Sequence, residues 1–193
     1  MQKVKTILPI IKNSWAVLLL FLTLTTSAQE NHETLKVYWP EEYNWQTGSD
    51  LETESMRIKE LRSENGKENI IATTICMKGV QYSPMEIVMN GTFNDVRKYS
   101  PKATIALIER DKDEKNHWII FKIESISSKT HKGLESRLYY IVQGDHSLYS
   151  NFMSVNEKSL STEKAGKWKN IFMRSELVSA AGKVTPLNAG GTE

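Results

Sequence analysis

The chain has 193 residues, of which 25 are basic and 23 acidic, and its formal net charge is +2. Lys3, Lys5 and Lys12 lie in a leader without acidic residues, so the remainder carries 22 basic against 23 acidic residues, a net charge of −1. A near-neutral chain with interspersed charges lacks the basic surface of a nucleic-acid-binding protein. It also lacks the like-charge block of a membrane-surface arm.

The first 28 residues have the pattern of a secretory signal. The basic leader is followed by an apolar run, residues 15–24, and then by the small residues Thr26, Ser27 and Ala28, which suit a signal peptidase. The alternative is a retained anchor, which needs roughly 20 apolar residues. We therefore expect cleavage after Ala28 and a periplasmic or extracellular location in a bacterium, with no membrane span in the mature chain.

The remainder divides into a single domain and a tail. Residues 29–178 are sufficient for one hydrophobic core, whereas residues 179–193 are small and aperiodic, which is typical of disorder. Cys76 is the only cysteine, so an internal disulfide is impossible. It lies in the apolar, β-branched run 70–77, which favours a buried and inert thiol.

The first strands precede any helical pattern. Residues 35–39 alternate in hydropathy and predict a strand, which Pro40 ends because proline cannot donate to a ladder. Trp45 begins a less certain return segment, and residues 48–50 are interpreted as a loop. These features predict one strand and a turn before residue 56.

A hairpin follows. Residues 56–61 and 69–77 have strand patterns, and the Asn65-Gly66 pair between them is a strong signal for a tight hairpin turn. The second of these strands is apolar on both faces, which indicates a position inside the sheet.

Two amphipathic helices are predicted. The first follows a capping box of Ser83, Pro84 and Glu86 and ends before Pro101. The second begins at the capping residues Ser161 and Thr162. The apolar stripes of the two helices comprise Met85, Val88, Met89, Phe93 and Val96 in the first, and Ala165, Trp168, Ile171 and Phe172 in the second.

Four further strands lie between the helices, at residues 103–109, 117–125, 137–143 and 147–155. The order β-β-β-α-β-β-β-β-α predicts an α+β fold, with a single mainly antiparallel sheet of about seven strands flanked by two helices. The helices could cover one face or both. Apolar residues on both faces at 70–77 and 118–123 favour both, an α/β/α sandwich.

The opening of the domain resembles the PsbP-like fold family. The segment Val37-Tyr38-Trp39-Pro40-Glu41-Glu42-Tyr43-Asn44-Trp45 is similar to the strand, proline and tryptophan opening of that family. The helix after the third strand and the final helix with Trp168 and Phe172 extend the resemblance over nearly the whole mature chain. The resemblance implies a binding or accessory role. It transfers no site, because the family shares no catalytic residues.

Four aromatic residues around Pro40 are the best candidate for a binding site: Tyr38, Trp39, Tyr43 and Trp45. Tyr and Trp dominate interaction hot spots, so the cluster could anchor a partner or stack a sugar ring. The alternative is that the two tryptophans fill the core near the last helix.

The ionisable residues do not form a recognisable site. His32, His117, His131 and His146 show no helical i, i+4 spacing, so we predict no metal site and no cofactor. A triad built on Cys76 would need an exposed strand residue. The pair Asp111 and Asp113 invites a calcium interpretation but lacks the glycine and distal glutamate of the helix–loop–helix site. We expect no catalytic residues.

Three functions remain open. The first is an exported, non-catalytic protein that binds a protein partner or cell-envelope component through the aromatic cluster. The second is a secreted hydrolase with carboxylates or histidines in a cleft, and the third is a carrier of a small apolar ligand between sheet and helix.

Overall fold

The computed structural model describes residues 33–64, 69–81, 83–111, 117–127, 133–179, 182 and 184–186. The expected signal peptide, the Asn65-Gly66 turn, His32, His131, Asp113 and most of the tail lie outside the described residues. Within the described part, no helix combines the length and the apolar character that crossing a membrane would require.

The described residues contain ten strands and two α-helices. The strands are β1 (Thr34–Lys36), β2 (Trp45–Glu52), β3 (Met56–Ser63), β4 (Ile70–Lys78), β5 (Thr104–Arg110), β6 (Trp118–Ser127), β7 (Leu134–Gln143), β8 (Ser147–Val155), β9 (Glu176–Val178) and β10 (Val184–Pro186). Seven of them form one sheet in the order β2-β3-β4-β8-β7-β6-β5, with every neighbouring pair antiparallel. The α+β class and the mainly antiparallel sheet are thus confirmed, and β4 lies inside the sheet.

One strand of the main sheet differs from the prediction. β1 does not join it but forms a separate three-stranded sheet with β9 and β10. Its place at the edge is taken by β2, which includes the predicted loop at residues 48–50. A β-bulge between Thr47 and Ser49 accommodates Gly48. A Cβ atom there would lie 2.8 Å from Arg62 Nε, so a larger residue would require the exposed Arg62 side chain to shift.

The tail also differs from the prediction at three residues. Val184–Pro186 pair with Glu176–Val178 of β9, on the side opposite β1. The composition of residues 179–193 suggested disorder. Composition does not show that β9 is available as a pairing partner for part of this segment.

The two helices are α1 (Met85–Tyr99) and α2 (Thr162–Met173). The cap of α2 is confirmed, since Ser161 Oγ accepts a hydrogen bond from Lys164 N at 3.1 Å. The capping box of α1 is wrong. Pro84 is the N-cap residue, without a side-chain hydrogen bond, and its carbonyl accepts the Ile87 N–H at 2.9 Å.

The helices pack on opposite faces of the sheet. Trp118 and Ile120 of β6 belong to the core cluster that contains Trp168 of α2. The alternating residues Ile119 and Phe121 belong to the cluster that contains Met85 of α1. Because successive strand residues point to opposite faces, one helix covers each face. We call these the α1 face and the α2 face.

Candidate functional site

The aromatic cluster from the sequence analysis packs against α2. The ring centroids of Trp39, Tyr43 and Trp45 lie 6.3, 5.7 and 6.3 Å from that of Trp168. Tyr43 is buried and the two tryptophans are half-buried, and Trp45 Nε1 donates a hydrogen bond to the Pro40 carbonyl at 2.8 Å. The core interpretation of these three residues accounts for their contacts without a partner.

Tyr38 differs from the other three residues of that cluster. It is 43% exposed, and its hydroxyl donates to Glu176 Oε2 at 2.6 Å, which ties the segment after β1 to β9. The four residues therefore do not form one exposed patch.

The described histidines do not converge. His117 and His146 precede β6 and β8 at the same end of the sheet, but β7 lies between these strands. Both side chains are exposed, and no group of three His, Cys, Asp or Glu in the described ranges could hold a metal ion. Asp111 Oδ2 accepts the His117 N–H at 3.1 Å, so this carboxylate closes the β5–β6 turn.

Cys76 is half-buried rather than buried, which corrects the expectation from its apolar surroundings. It lies on the α2 face of β4, at the margin of the core, opposite Tyr149 of β8. Tyr149 donates its hydroxyl to the Glu33 carbonyl at 2.6 Å, and Glu33 Oε2 accepts the Asp145 N–H at 2.8 Å. These bonds fasten the beginning of the domain to the β7–β8 turn.

That fastening needs close packing at Gly144. A Cβ atom on Gly144 would overlap the Glu33 carboxyl group, so a larger residue there would require that group to shift from its position. Burial raises the pKa of Glu33 above its usual value. The contacts explain Glu33 as a structural anchor.

A row of polar residues crosses the α2 face of the sheet. Register pairs join Asp50 of β2 to Lys59 of β3, Lys59 to Thr74 of β4, Thr74 to Asn151 of β8, and Asn151 to Tyr140 of β7. We call these five residues the polar row. Directly paired residues share a face and have Cβ atoms about 5 Å apart, so the row is continuous.

The polar row runs from solvent into the core. Asp50 and Lys59 are exposed, Thr74 is half-buried, and Asn151 and Tyr140 are both 0% exposed. At the outer end, hydrogen bonds from Arg57, at 3.1 and 2.9 Å, lower the pKa of Asp50 and keep it ionised. The row therefore combines a paired carboxylate, an amine and two buried polar side chains.

The buried end of the row has no hydrogen-bond partners. Asn151 Oδ1, Asn151 Nδ2 and the Tyr140 hydroxyl are buried and unpaired, as is Trp168 Nε1 of α2. Each such group costs roughly 1–3 kcal/mol if it stays unsatisfied. Burial, and secondarily the Asp111 carboxylate, raises the pKa of Tyr140, so its hydroxyl is protonated and able to donate.

Two other buried polar side chains of β7 do have partners, whereas Glu33, Glu135, Arg137 and Ser175 each carry one further buried atom without a hydrogen-bond partner. Ser136 Oγ donates to the Glu157 carbonyl at 2.9 Å, and the Tyr139 hydroxyl, on the α1 face, accepts from Arg137 at 3.3 Å. Since buried polar groups are normally paired, the unpaired end of the polar row marks a place where a molecule from outside could supply hydrogen bonds.

Aromatic rings and ion pairs surround that buried end. Phe172 of α2 stacks on Tyr140 with centroids 5.7 Å apart. Three lysines of α2 form ion pairs around the helix: Lys164 with Glu157, Lys167 with Glu42, and Lys169 with Glu109. Helix α2 thus covers the buried end of the polar row with apolar side chains, and these three lysines form ion pairs at the margin of the helix.

A second row lies directly behind the first, on the α1 face. It is formed by the sequence neighbours of the polar row, namely Leu51, Ile58, Ile75, Ser150 and Ile141, which are joined by the same strand pairs. We call it the apolar row. Ile141 is fully buried in the core cluster of α1, whereas Ile58 and Ile75 are half-buried and Leu51 is 63% exposed.

The sequence analysis missed both rows. Each strand contributes only one residue to a row, so neither row has a motif along the chain. The signal is the polar–apolar alternation at pairs such as Lys59 and Ile58, but the strand order and register are needed to align these positions.

Comparison with known proteins identifies no relative: no family model, no curated protein and no solved structure matches the chain.

Proposed function

We propose that this chain is an exported, non-catalytic protein of PsbP-like fold that binds a protein partner through the outer part of the apolar row. The observation that carries the proposal is the aliphatic surface that Leu51, 63% exposed, and the half-buried Ile58 and Ile75 leave open to solvent on three adjacent strands. Contiguous apolar surface left open to solvent is typical of interaction sites.

Packing explains why this surface is open. α1 packs chiefly on β6, toward the other end of the sheet. Neither core cluster includes Leu51, Ile58 or Ile75. Neighbouring strands are about 4.8 Å apart, so the three side chains form a stripe about 10 Å wide from first to last, which could be the centre of a larger contact.

The charges around the stripe favour a protein over a lipid surface. Arg62 pairs with Glu60 at 2.8 Å on β3, and both residues lie on the α1 face beside Ile58. Anionic membranes are recognised by an excess of basic residues, and paired charges supply none. A polar rim around an apolar centre is the usual composition of a protein interface.

A non-catalytic role is supported by the structural hydrogen bonds in which the candidate catalytic groups are already engaged. Glu33 and Tyr149 fasten the beginning of the domain, and Asp111 closes a turn. Export is supported by the basic, apolar and small-residue order of residues 1–28. The antiparallel sheet with a helix on each face supports the PsbP-like proposal.

Crosslinking in the native cells, followed by quantitative mass spectrometry, tests this function. Leu51→Glu should abolish capture of a partner that the wild type crosslinks, because a charge is placed at the open end of the apolar row. Ile87→Glu is the matched control, since Ile87 is 68% exposed but lies on α1. The control should retain capture.

Two outcomes would contradict the proposal. Equal capture by all three proteins would remove the apolar row from the interface. A wild-type dimer in sedimentation experiments that Leu51→Glu dissociates would show that the stripe binds another copy of the chain instead of a different protein.

A further inference from the structure

We propose that the inner part of the polar row, Thr74, Asn151 and Tyr140, binds a small carboxylic acid with an aromatic or apolar body. This is a second binding activity, on the face opposite the apolar row, and it does not depend on the proposed partner.

The unpaired buried atoms are the first argument. Asn151 is completely buried, and neither its amide nitrogen nor its amide oxygen has a partner. Tyr140 lies directly opposite on β7, and its buried hydroxyl also has no hydrogen-bond partner. Two register-paired residues with unused hydrogen-bonding capacity offer a ligand several bonds within a small volume.

The hydrogen-bond donors of the polar row indicate the chemistry of the ligand. Thr74, Asn151 and Tyr140 can each donate a hydrogen bond, and Lys59 adds a cation at the outer end. Asp50, the carboxylate of the row, is already held by Arg57, and Lys59 lies opposite it, where its positive charge also helps to lower the pKa of Asp50. A carboxylate satisfies such donors best, because charge-assisted hydrogen bonds are the strong ones.

The aromatic residues around Tyr140 indicate which chemical group the ligand should carry besides its carboxylate. Phe172 lies 5.7 Å and Trp118 6.5 Å from the Tyr140 ring, between centroids. Aromatic side chains around a few polar groups are the usual lining of a small-molecule site. A flat ring bearing one carboxylate therefore suits the chemistry of these aromatic neighbours and of the polar row.

A ligand could reach Asn151 from solvent across β4, the strand next to β8. Thr74 and Cys76 of β4 are both half-buried and share the α2 face with Asn151. A ligand entering over β4 would pass Lys59 first and Asn151 last, in the direction of increasing burial.

Benzoate and benzamide are the probes for this proposal, because they share a ring and differ in charge. Ligand-observed NMR on the purified full chain should detect benzoate binding. Lys59→Met should weaken benzoate affinity at least about fivefold and leave benzamide affinity within about twofold. Arg62→Met is the matched control, because Arg62 is an exposed cation of the same strand on the other face. It should change neither affinity.

Asn151→Leu is the second variant. It keeps the size of the side chain and removes both unpaired atoms, so benzoate affinity should fall more than about tenfold while the protein stays folded. No benzoate binding by the wild type would overturn the proposal, as would an equal loss in Lys59→Met and Arg62→Met. A crystal structure with benzoate present that shows only ordered water on Asn151 and Tyr140 would also overturn it.

Discussion

The polar row and the apolar row are made by neighbouring residues of the same strands, yet they have opposite chemistry. Tyr140 and Ile141 are adjacent and both completely buried, one beneath each helix. Ile141 lies in a mixed aliphatic and aromatic core with Ile119 and Phe121. Tyr140 lies beneath aromatic rings, beside an unpaired asparagine.

The buried ends of the two rows differ in what they contribute to stability. Aliphatic burial in the apolar row contributes to folding at about 25 cal/mol per Å² of buried apolar surface. The inner polar row reduces that contribution by leaving polar atoms without partners. Proteins retain locally unfavourable groups mainly where function requires them, so the inner polar row is where we place small-molecule binding. The α1 face combines the packed core around Ile141 with the open stripe of the proposed partner site.

The largest expected effect tests the apolar row. Ile141→Ala should lower the free energy of unfolding by about 2–5 kcal/mol, because it leaves a cavity beneath α1. Chemical denaturation measures this loss. A change below about 0.5 kcal/mol would mean that the apolar row is not the support that its packing indicates.

A smaller effect concerns the aromatic cluster. Trp45→Ala should lower the free energy of unfolding by about 2 kcal/mol, less than for a fully buried tryptophan, because Trp45 packs on Trp168 while half-buried. Thermal and denaturant unfolding both test it. An unchanged midpoint, combined with loss of partner capture, would restore the aromatic cluster as the binding site.

The smallest effect compares adjacent tyrosines on the two faces. Tyr139→Phe should cost about 1 kcal/mol, because the hydroxyl accepts a hydrogen bond from Arg137. Tyr140→Phe should cost nothing or stabilise the ligand-free protein, because its hydroxyl has no partner. Denaturation curves of the two variants give the difference directly, and the reverse order would contradict the comparison.

Local patterns predicted most of the fold. The apolar stripes of both helices, the Ser161 cap and the interior position of β4 follow from spacing and composition, and the structure contains all three. The errors arose where tertiary contacts decide. The bulge at Gly48 extends β2 through a predicted loop, and β9 recruits β1 and β10 into a separate sheet.

The site was less predictable than the fold. Tyr38, Trp39, Tyr43 and Trp45 are close in sequence, which drew attention to them, but three of the four pack on α2. Lys59, Thr74 and Asn151 come from three different strands, of which β8 is distant in the chain, and they have ordinary neighbours in the sequence. Only the pairing register brings them together.

The most direct test of the central claim is the free energy of unfolding of Asn151→Leu, measured without any added ligand. Asn151 has no hydrogen-bond partner in the ligand-free protein, so the variant should be as stable as the wild type or more stable. A loss of about 2 kcal/mol or more would contradict it, because the amide would then be bonded within the protein and the polar row would have a structural role.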